Sequence, residues 1–412
     1  MSIRHSIYLM AALWFGVPAP GVRAQSPAAD TLSYAAEVSL ITCGPGEALF
    51  EAFGHTALRV RDPQRGLDEV YNYGLFDFDQ PNFYLNFAKG YLLYRLGSAD
   101  FSRFLYQYEY YNRSVYEQVL NLQPAQQQAL YDALRVNNLP ENQQYYYDYF
   151  FDNCATRPRD VVEDVLGDRL LYDFTYTDTL RYSIRDLIDH YLEPDPRHAW
   201  GDLGIDLGLG ATIDRAATPR EYTYQPEFLA AAFAGATVRR NDGSRVPLVV
   251  QERTLFEARP QLPPAPPFPS PGLLLWGVFG ATALVTLLEW RGRGRWGRPL
   301  DLILFGLVGA VGVLLTFLWF FTNHTAAAHN WNLLWAWPTH LLMVWGALRR
   351  RPARPVGIYF LVAALANLLT LVLWATLPQN MHEALIPLVL SLTTRGAMLY
   401  VWSRPPGRMV TA

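Results

Sequence analysis

Hydrophobic and polar positions divide the chain into two halves. From about 25 to 255, apolar residues come in short periodic groups; from 272 to 402 they come in long runs. In the first half, Glu37 to Thr42 reads as a strand and Cys43-Gly44-Pro45-Gly46 as a turn. Leu49, Phe50 and Phe53 suggest a short helix. His55 to Arg61 then alternates as a second strand, with His55 at its start. Gly66-Leu67-Asp68 turns the chain, and Glu69 to Gly74 returns as a third strand, which sets Asn72 beside His55. Phe76 to Lys89 is an aromatic loop with a short helix. Tyr91 to Leu96 and Val115 to Leu122 read as further strands. Phe101, Phe104, Leu105 and Tyr108 fall at i, i+3, i+4 and i+7, one face of a helix. Pro124 to Val136 is a second helix, with proline in its first turn. An extended run, Tyr145 to Phe151, leads straight to Cys154. After it Val161, Val162, Val165 and Leu166 share one helical face. This order predicts an α+β domain.

The second half holds five apolar runs, at about 272–290, 302–322, 331–348, 356–376 and 384–402, each near bilayer length. Arg291, Arg293, Arg295 and Arg298 fill the first loop; Arg349, Arg350, Arg351 and Arg354 fill the third; Arg404 and Arg408 follow the fifth run. The second and fourth loops carry no Lys or Arg, so the positive-inside rule puts the C-terminus in the cytoplasm and the first half outside. Residues 1–24 agree: Arg4 and His5, the apolar run Ile7 to Val17, and Val22-Arg23-Ala24 make a signal peptide. Prolines 260, 263, 264, 266, 267, 269 and 271 make a stiff linker between the halves. The predicted division is signal peptide 1–24, thiol-enzyme core 25–167, extension 168–256, linker 257–271, five-helix transmembrane domain 272–402 and cytoplasmic tail 403–412.

Net charge is only −3, which gives no electrostatic case for nucleic acid. Within the extension, Trp200 to Gly210 is Gly-rich but lacks the lysine and strand–turn–helix setting of a phosphate loop, so it reads as a structural loop. Asn241-Asp242-Gly243-Ser244 reads as a hairpin turn.

Candidate chemistry centres on Cys154. Asp152 or Asn153 can cap the following helix, and Pro158 fits only its first turn. A helix N-terminus with Arg157 and Arg159 nearby is expected to favour a thiolate. Cys43 and Cys154 are the only cysteines, both in the exported half, so a structural disulfide is the competing reading. His55 is a candidate base, because a cysteine nucleophile needs one and imidazole serves near neutral pH. Taken alone it reads as a plain strand histidine. Asn72 is the candidate orienting group, with Tyr71 and Asp77 as alternatives; His190 and His198 are competing bases. Arg395, within the fifth run, and His329, Asn330 and Asn332, at the second outer loop, are candidates for holding a lipid head group or substrate, or are ordinary interfacial residues. No His-x-x-x-His or Cys-x-x-Cys pair supports a metal, and no cofactor is implied.

Phe53-Gly54-His55-Thr56-Ala57 and Asn153-Cys154-Ala155-Thr156 resemble the circularly permuted NlpC/papain-like group, which includes the lecithin–retinol acyltransferase relatives. There a strand histidine precedes a cysteine at a helix start. Relatives close to retinol acyltransferase carry a second histidine on the next strand, where this chain has Asn72. The whole chain resembles the Lnb-type family through Thr42-Cys43-Gly44-Pro45-Gly46, Phe53-Gly54-His55, Tyr71-Asn72-Tyr73-Gly74, Phe76-Asp77-Phe78, Asp152 to Arg157, Asp202-Leu203-Gly204-Ile205-Asp206 and Asn330 to Trp335.

That resemblance implies a permuted papain-like periplasmic domain followed by five membrane helices in a bacterial inner membrane. It implies an N-acyltransferase that moves an acyl chain from phospholipid, through a Cys154 thioester, to the terminal amine of diacylglyceryl-cysteine lipoproteins. Cys154, His55 and Asn72 would be catalytic; Tyr73, Asp77, Arg157, His329, Asn330, Asn332 and Arg395 would bind substrate. The rivals are a membrane-tethered cysteine peptidase or amidase acting on cell-wall peptides, and a non-catalytic protein with a Cys43–Cys154 disulfide.

Overall fold

The computed structural model describes residues 31–76, 79–261, 264–293, 296–349 and 351–404. The expected signal peptide, Asp77 and most of the expected tail lie outside these residues.

Seven antiparallel strands form the central sheet: β1 (Glu37–Cys43), β2 (His55–Asp62), β3 (Leu67–Leu75), β4 (Leu93–Asp100), β5 (Val115–Leu120), β6 (Gln144–Tyr146) and β10 (Val249–Phe256). Their order is β10-β5-β1-β2-β3-β4-β6. Successive side chains of a strand point to opposite faces, and here both faces are covered. Val38, Leu40, Leu58 and Val60 enter one core; Ile41, Cys43, Ala57 and Val70 enter another. Helix α1 (Phe83–Lys89) lies outside this sheet. Helix α2 (Phe101–Tyr110), capped by Asp100, covers the second face through Phe101, Phe104 and Tyr108. Helices α3 (Pro124–Asn137) and α4 (Thr156–Leu166) cover the first face.

The chain beyond 167 packs partly into that same first core and partly into a separate one with Phe53 and Phe150. It contributes α5 (Ile184–Leu192), α6 (Ala199–Gly208), α7 (Pro219–Tyr222) and α8 (Pro226–Gly235). Leu229, Phe233, Val238 and Leu248 lie among the core side chains, and β10 extends the sheet beside β5. A three-stranded sheet of β7 (Leu170–Leu171), β8 (Thr237–Arg239) and β9 (Arg245–Pro247) holds the hairpin at 241–244.

The Gly-rich stretch 200–210 is mostly helix α6, not the expected loop. Each glycine costs roughly 1 kcal/mol against alanine in a helix, so composition argued against it. Packing overrides that cost. Leu203 and Asp206 are buried, and a Cβ on Gly201 would lie 2.7 Å from the Leu49 side chain.

Among the described residues, four helices of the second half are long and apolar enough to cross a membrane: α9 (Pro271–Trp290), α10 (Gly297–Phe321), α12 (Arg354–Leu373) with the turn after it, and α13 (Ile386–Ser403) with the turn before it. The third expected span, 331–348, is not one long helix. It begins as the short 3-10 turn Trp331–Leu334, bends through Trp337 and Pro338, and ends as the eight-residue helix α11 (His340–Ala347). Pro338 has no amide hydrogen to continue a helix. The bent backbone packs on two glycines of α10: a Cβ on Gly312 would meet the Ala336 carbonyl, and one on Gly309 would lie 2.8 Å from the Leu341 amide.

The outer loops of the membrane half grip the sheet-rich half. Gly210 donates to the Ala326 carbonyl, Gln379 to that of Leu209 and Asn323 to that of Lys89.

Candidate active site

The turn Cys43–Gly54 brings the start of β2 against the end of β1. Gly54 has φ +73°, and a Cβ there would stand 2.6 Å from the Cys43 carbonyl. This turn pairs Cys43 with His55 across the two strands. One strand further, Asn72 lies on β3, and its Oδ1 is 2.5 Å from His55 Nε2. Because Oδ1 only accepts, Nε2 carries the proton, and Nδ1 keeps its lone pair.

Cys154 sits two residues before α4. Asn153 organises this start: its Oδ1 accepts from the amides of Ala155 and Thr156, while its own amide donates to Thr156 Oγ1 at 2.7 Å. Its Nδ2 donates to the carbonyls of Tyr149 and Tyr224, at 2.8 and 2.9 Å. The residue before the cysteine is thus the clamp that fixes the cysteine's backbone. Pro158 falls in the first turn of α4.

His55, Asn72 and Cys154 line one cavity of about 290 Å3, whose other walls include Phe53, Tyr147, Tyr149 and Gln225. Gly74 opens the wall beside the thiol: it has φ +90°, and a Cβ there would lie 3.4 Å from that of Cys154. The Thr56 amide and the Tyr147 hydroxyl act on the sulfur so as to favour its thiolate. Gln225 is 1% exposed, and its Nε2 has no hydrogen-bond partner.

Electrostatics differ from the expected thiolate. Burial pushes the Cys154 thiol up to about 11, against the smaller opposing effects of the Thr56 amide and the Tyr147 hydroxyl. The two arginines are engaged elsewhere. Arg157 Nη2 lies 2.6 Å from Asp152 Oδ2, and the guanidinium covers the Tyr145 ring. Arg159 bonds Asp160 and Thr223. Burial also drives the His55 imidazole down to about 4, with the Asn72 bond opposing and the Arg113 charge adding to the fall. Both shifts favour the uncharged forms, a thiol and a neutral imidazole.

Cys43 and Cys154 are both free thiols, so the structure lends the disulfide reading no support. Cys43 is buried beneath the site, and desolvation raises its thiol to about 12, with a Tyr108 hydrogen bond opposing.

Several expected substrate-binding residues lie away from this cavity. Tyr73 is in the core, its hydroxyl accepting from Asn137 at 3.0 Å. Arg157 is held by Asp152 and Tyr145, as above. His329 packs against Trp319. Asn330 and Asn332 are buried docking groups whose Nδ2 atoms donate to the Leu207 carbonyl of α6. Arg395 does not snorkel. It is fully buried, with Nε and Nη2 on Asp301 at 2.6 and 2.9 Å and Nη1 on Glu289 at 2.9 Å. The partners of Asn330, Asn332 and Arg395 are distant along the chain, so local sequence gave no sign of them. Among the described residues, Asp202, Asp206 and His382 form a group with possible ligand atoms within 4.8 Å of one another. Asp206 is paired with Arg185 at 2.6 Å and His382 with Asp202 at 3.4 Å, so the group already serves as a link between the halves.

Sequence reasoning missed Gln225 and the Thr56 amide. Gln225 carries no motif signal, since only the packing of α8 on the sheet brings it to the thiol. Tyr147 lay within the aromatic run before Cys154, but nothing there distinguished it from its neighbours.

No curated protein and no solved structure matches the chain. Residues 27–186 match the Lnb N-terminal periplasmic domain, and residues 265–404 match the Lnb transmembrane domain. The first match contains His55, Asn72 and Cys154, the second contains all four long apolar helices, and the chain belongs to the Lnb family.

Proposed function

We propose that the protein is a membrane-bound lipoprotein N-acyltransferase of the Cys–His type, with a permuted papain-like catalytic domain in the periplasm. The reading rests on Lnb membership. The observation that carries it is the enclosure of a thiol, an imidazole and an orienting amide in one cavity, with His55 Nε2 held on Asn72.

In the first step the Cys154 proton passes to His55 Nδ1 as sulfur attacks the acyl ester of a phospholipid. The ester C–O bond breaks, and His55 returns the proton to the departing glycerol oxygen. A thioester and a lysophospholipid result. In the second step the amine of a diacylglyceryl-cysteine lipoprotein attacks the thioester. His55 takes the amine proton, the C–S bond breaks, and the proton returns to sulfur. The thioester divides one hard transfer into two easier ones. The Cys154 amide and Gln225 Nε2 serve as oxyanion donors in both steps.

Neutral resting groups suit this chemistry. Proton transfer accompanies attack, so no standing thiolate is exposed in an oxidising compartment. The aromatic residues Phe53, Tyr147 and Tyr149 limit water, which would otherwise hydrolyse the thioester. The membrane half lies in the inner membrane with its C-terminus in the cytoplasm, and 331–348 crosses as a discontinuous segment. Such backbone is tolerated at membrane depth only when buried in protein, and Trp335 and Ala336 are buried. A tethered peptidase could use the same thiol and imidazole. The extensive docking of the membrane half on the thiol domain favours the lipid reading.

The test is intact-lipoprotein mass spectrometry in cells whose only candidate acyltransferase is this protein or its Cys154→Ala variant. One added N-linked acyl mass with the parent, absent with the variant, is the expected result. The same mass with both removes Cys154 from the mechanism.

A further inference from the structure

A second cavity, of about 410 Å3, lies between the two halves of the molecule. Its volume falls in the range of ligand pockets, about 300–1,000 Å3. Phe53, Tyr147 and Tyr149 line both this cavity and the thiol cavity, so the two adjoin at these three aromatic rings. At its far side the cavity reaches Leu318, one turn before the end of the apolar helix α10.

We propose that this cavity holds the acyl chain being transferred, with its carbonyl at Cys154 and its tail directed toward α10. The inference rests on the acyl-transfer reading above and names the place of the chain within it. Three observations carry it.

The first is the state of the polar groups on the wall. Asp148 Oδ1 already accepts from the amides of Phe150 and Phe151, at 2.9 and 3.0 Å. His324 Nε2 is 3.1 Å from the Phe87 carbonyl. What remains for a ligand is mainly apolar surface, which suits a hydrocarbon and not a peptide.

The second is helix α6. Gly204 and Gly208 both line the cavity, and a Cβ at either would have no atom within 4 Å. Larger residues would project into this empty volume, so the glycines keep it open. This explains why a helix carries glycines that weaken it.

The third is the mouth. Helix α1 is bound to the outer end of the membrane half through Asn323 and Lys89. It exposes Tyr84, Leu85 and Phe87, and the neighbouring end of α10 exposes Phe320 and Phe321. An apolar surface continuous with a spanning helix suits insertion into the bilayer interface, where the donor lipid resides.

The experiment uses the full-length protein in liposomes containing an equimolar mixture of phospholipids with 12- to 18-carbon chains and a diacylglyceryl lipopeptide acceptor. Mass spectrometry reads which chain is attached to Cys154 and to the acceptor amine. Gly204→Leu and Gly208→Leu should shift use toward shorter chains by about tenfold, the scale for methylenes that no longer fit a pocket. Leu318→Ala enlarges the cavity and should shift use toward longer chains. Opposite shifts cannot come from general damage to the fold. A normal wild-type product with unmoved chain preference in all three variants overturns this inference alone. So does a loss that follows the acceptor's own chains and ignores the donor's. If the wild type forms neither thioester nor N-acyl product, the acyl-transfer reading falls, and this inference with it.

Discussion

Two regions of the molecule bury polar side chains and treat them in opposite ways. Around Arg395 every polar group is matched. The guanidinium meets Asp301 on two nitrogens and Glu289 and Thr286 on the third, and Glu289 also accepts from the Gly297 amide at 2.9 Å. Around Cys154 the matching is incomplete. Gln225 Nε2 has no partner, and His55 is held on one nitrogen. Leaving buried polar groups unmatched costs about 1–3 kcal/mol each, a cost that a bound substrate would offset at Gln225. The contrast separates a joint from a site: the Arg395 cluster ties α9, α10 and α13 together, and the thiol cavity is left ready for a substrate.

The largest break in the comparison comes from the thiol itself. Cys154→Ala should lower acyl transfer by roughly 10³-fold or more, with the midpoint of thermal unfolding unchanged. A variant that unfolds early would mean that the thiol is a packing group, like Cys43. His55→Ala should cost roughly 10²–10⁴-fold, the usual range for a lost acid–base group. The pH profile sharpens this. Since burial lowers His55 to about 4, protonation removes the base only as pH falls through that value. Since the thiol is raised to about 11, the neutral pair persists across the range between. The rate of thioester formation should therefore stay flat from about pH 5 to 10 in a general-base mechanism, whereas transfer to the acceptor also rises as its amine deprotonates near about pH 8. A rise of thioester formation centred near neutral pH would instead indicate a pre-formed ion pair.

Arg395 should behave in reverse. Arg395→Leu leaves Asp301 and Glu289 without their cation, and losing one partner of a buried pair costs about 3–5 kcal/mol. The expected readout is a lower unfolding midpoint in detergent, with kcat per folded molecule retained. Replacing Asp301 as well, by Leu, should recover much of the loss. If Arg395→Leu abolishes turnover at full stability, the residue touches substrate and the contrast fails.

Which parts were legible in sequence follows the same division. The strand carrying His55, the strand carrying Asn72 and the helix after Cys154 were readable because period and turn residues are local signals. The nearness of His55 and Asn72 was readable too, since the hairpin fixes which residues of β2 and β3 are neighbours; the nearness of Cys154 to them was expected only from the resemblance. What failed depended on packing and pairing that periodicity does not register, at short range as well as long. The Arg157 charge disappears into Asp152 and Tyr145, and the depth of burial at Cys154 reverses the thiolate expectation. Arg395 needed Asp301, 94 positions away, to become a joint. Helix α6 was hidden by its own glycines. The third apolar run looked continuous because hydropathy does not register that Pro338 and the glycines of α10 let the backbone bend.

The smallest effect tests the least obvious member of the site, Asn72. Its Oδ1 holds His55 Nε2–H and so fixes both ring orientation and tautomer. Asn72→Ala should reduce kcat by up to about 10²-fold, the cost of a misplaced reacting group, with KM little changed. The Asn72 bond also favours the charged imidazole against burial, so its loss should move the acid limb to still lower pH. Asn72→Asp should do the opposite. A carboxylate beside the ring stabilises imidazolium, so the group must reach a higher pH before it becomes a free base. The limb then moves up, toward neutrality. The two variants therefore shift the profile in opposite directions from one position. Only a side chain acting through His55 produces that sign reversal; if both variants merely scale the rate at every pH, Asn72 supports the fold of β3 and does not orient the base.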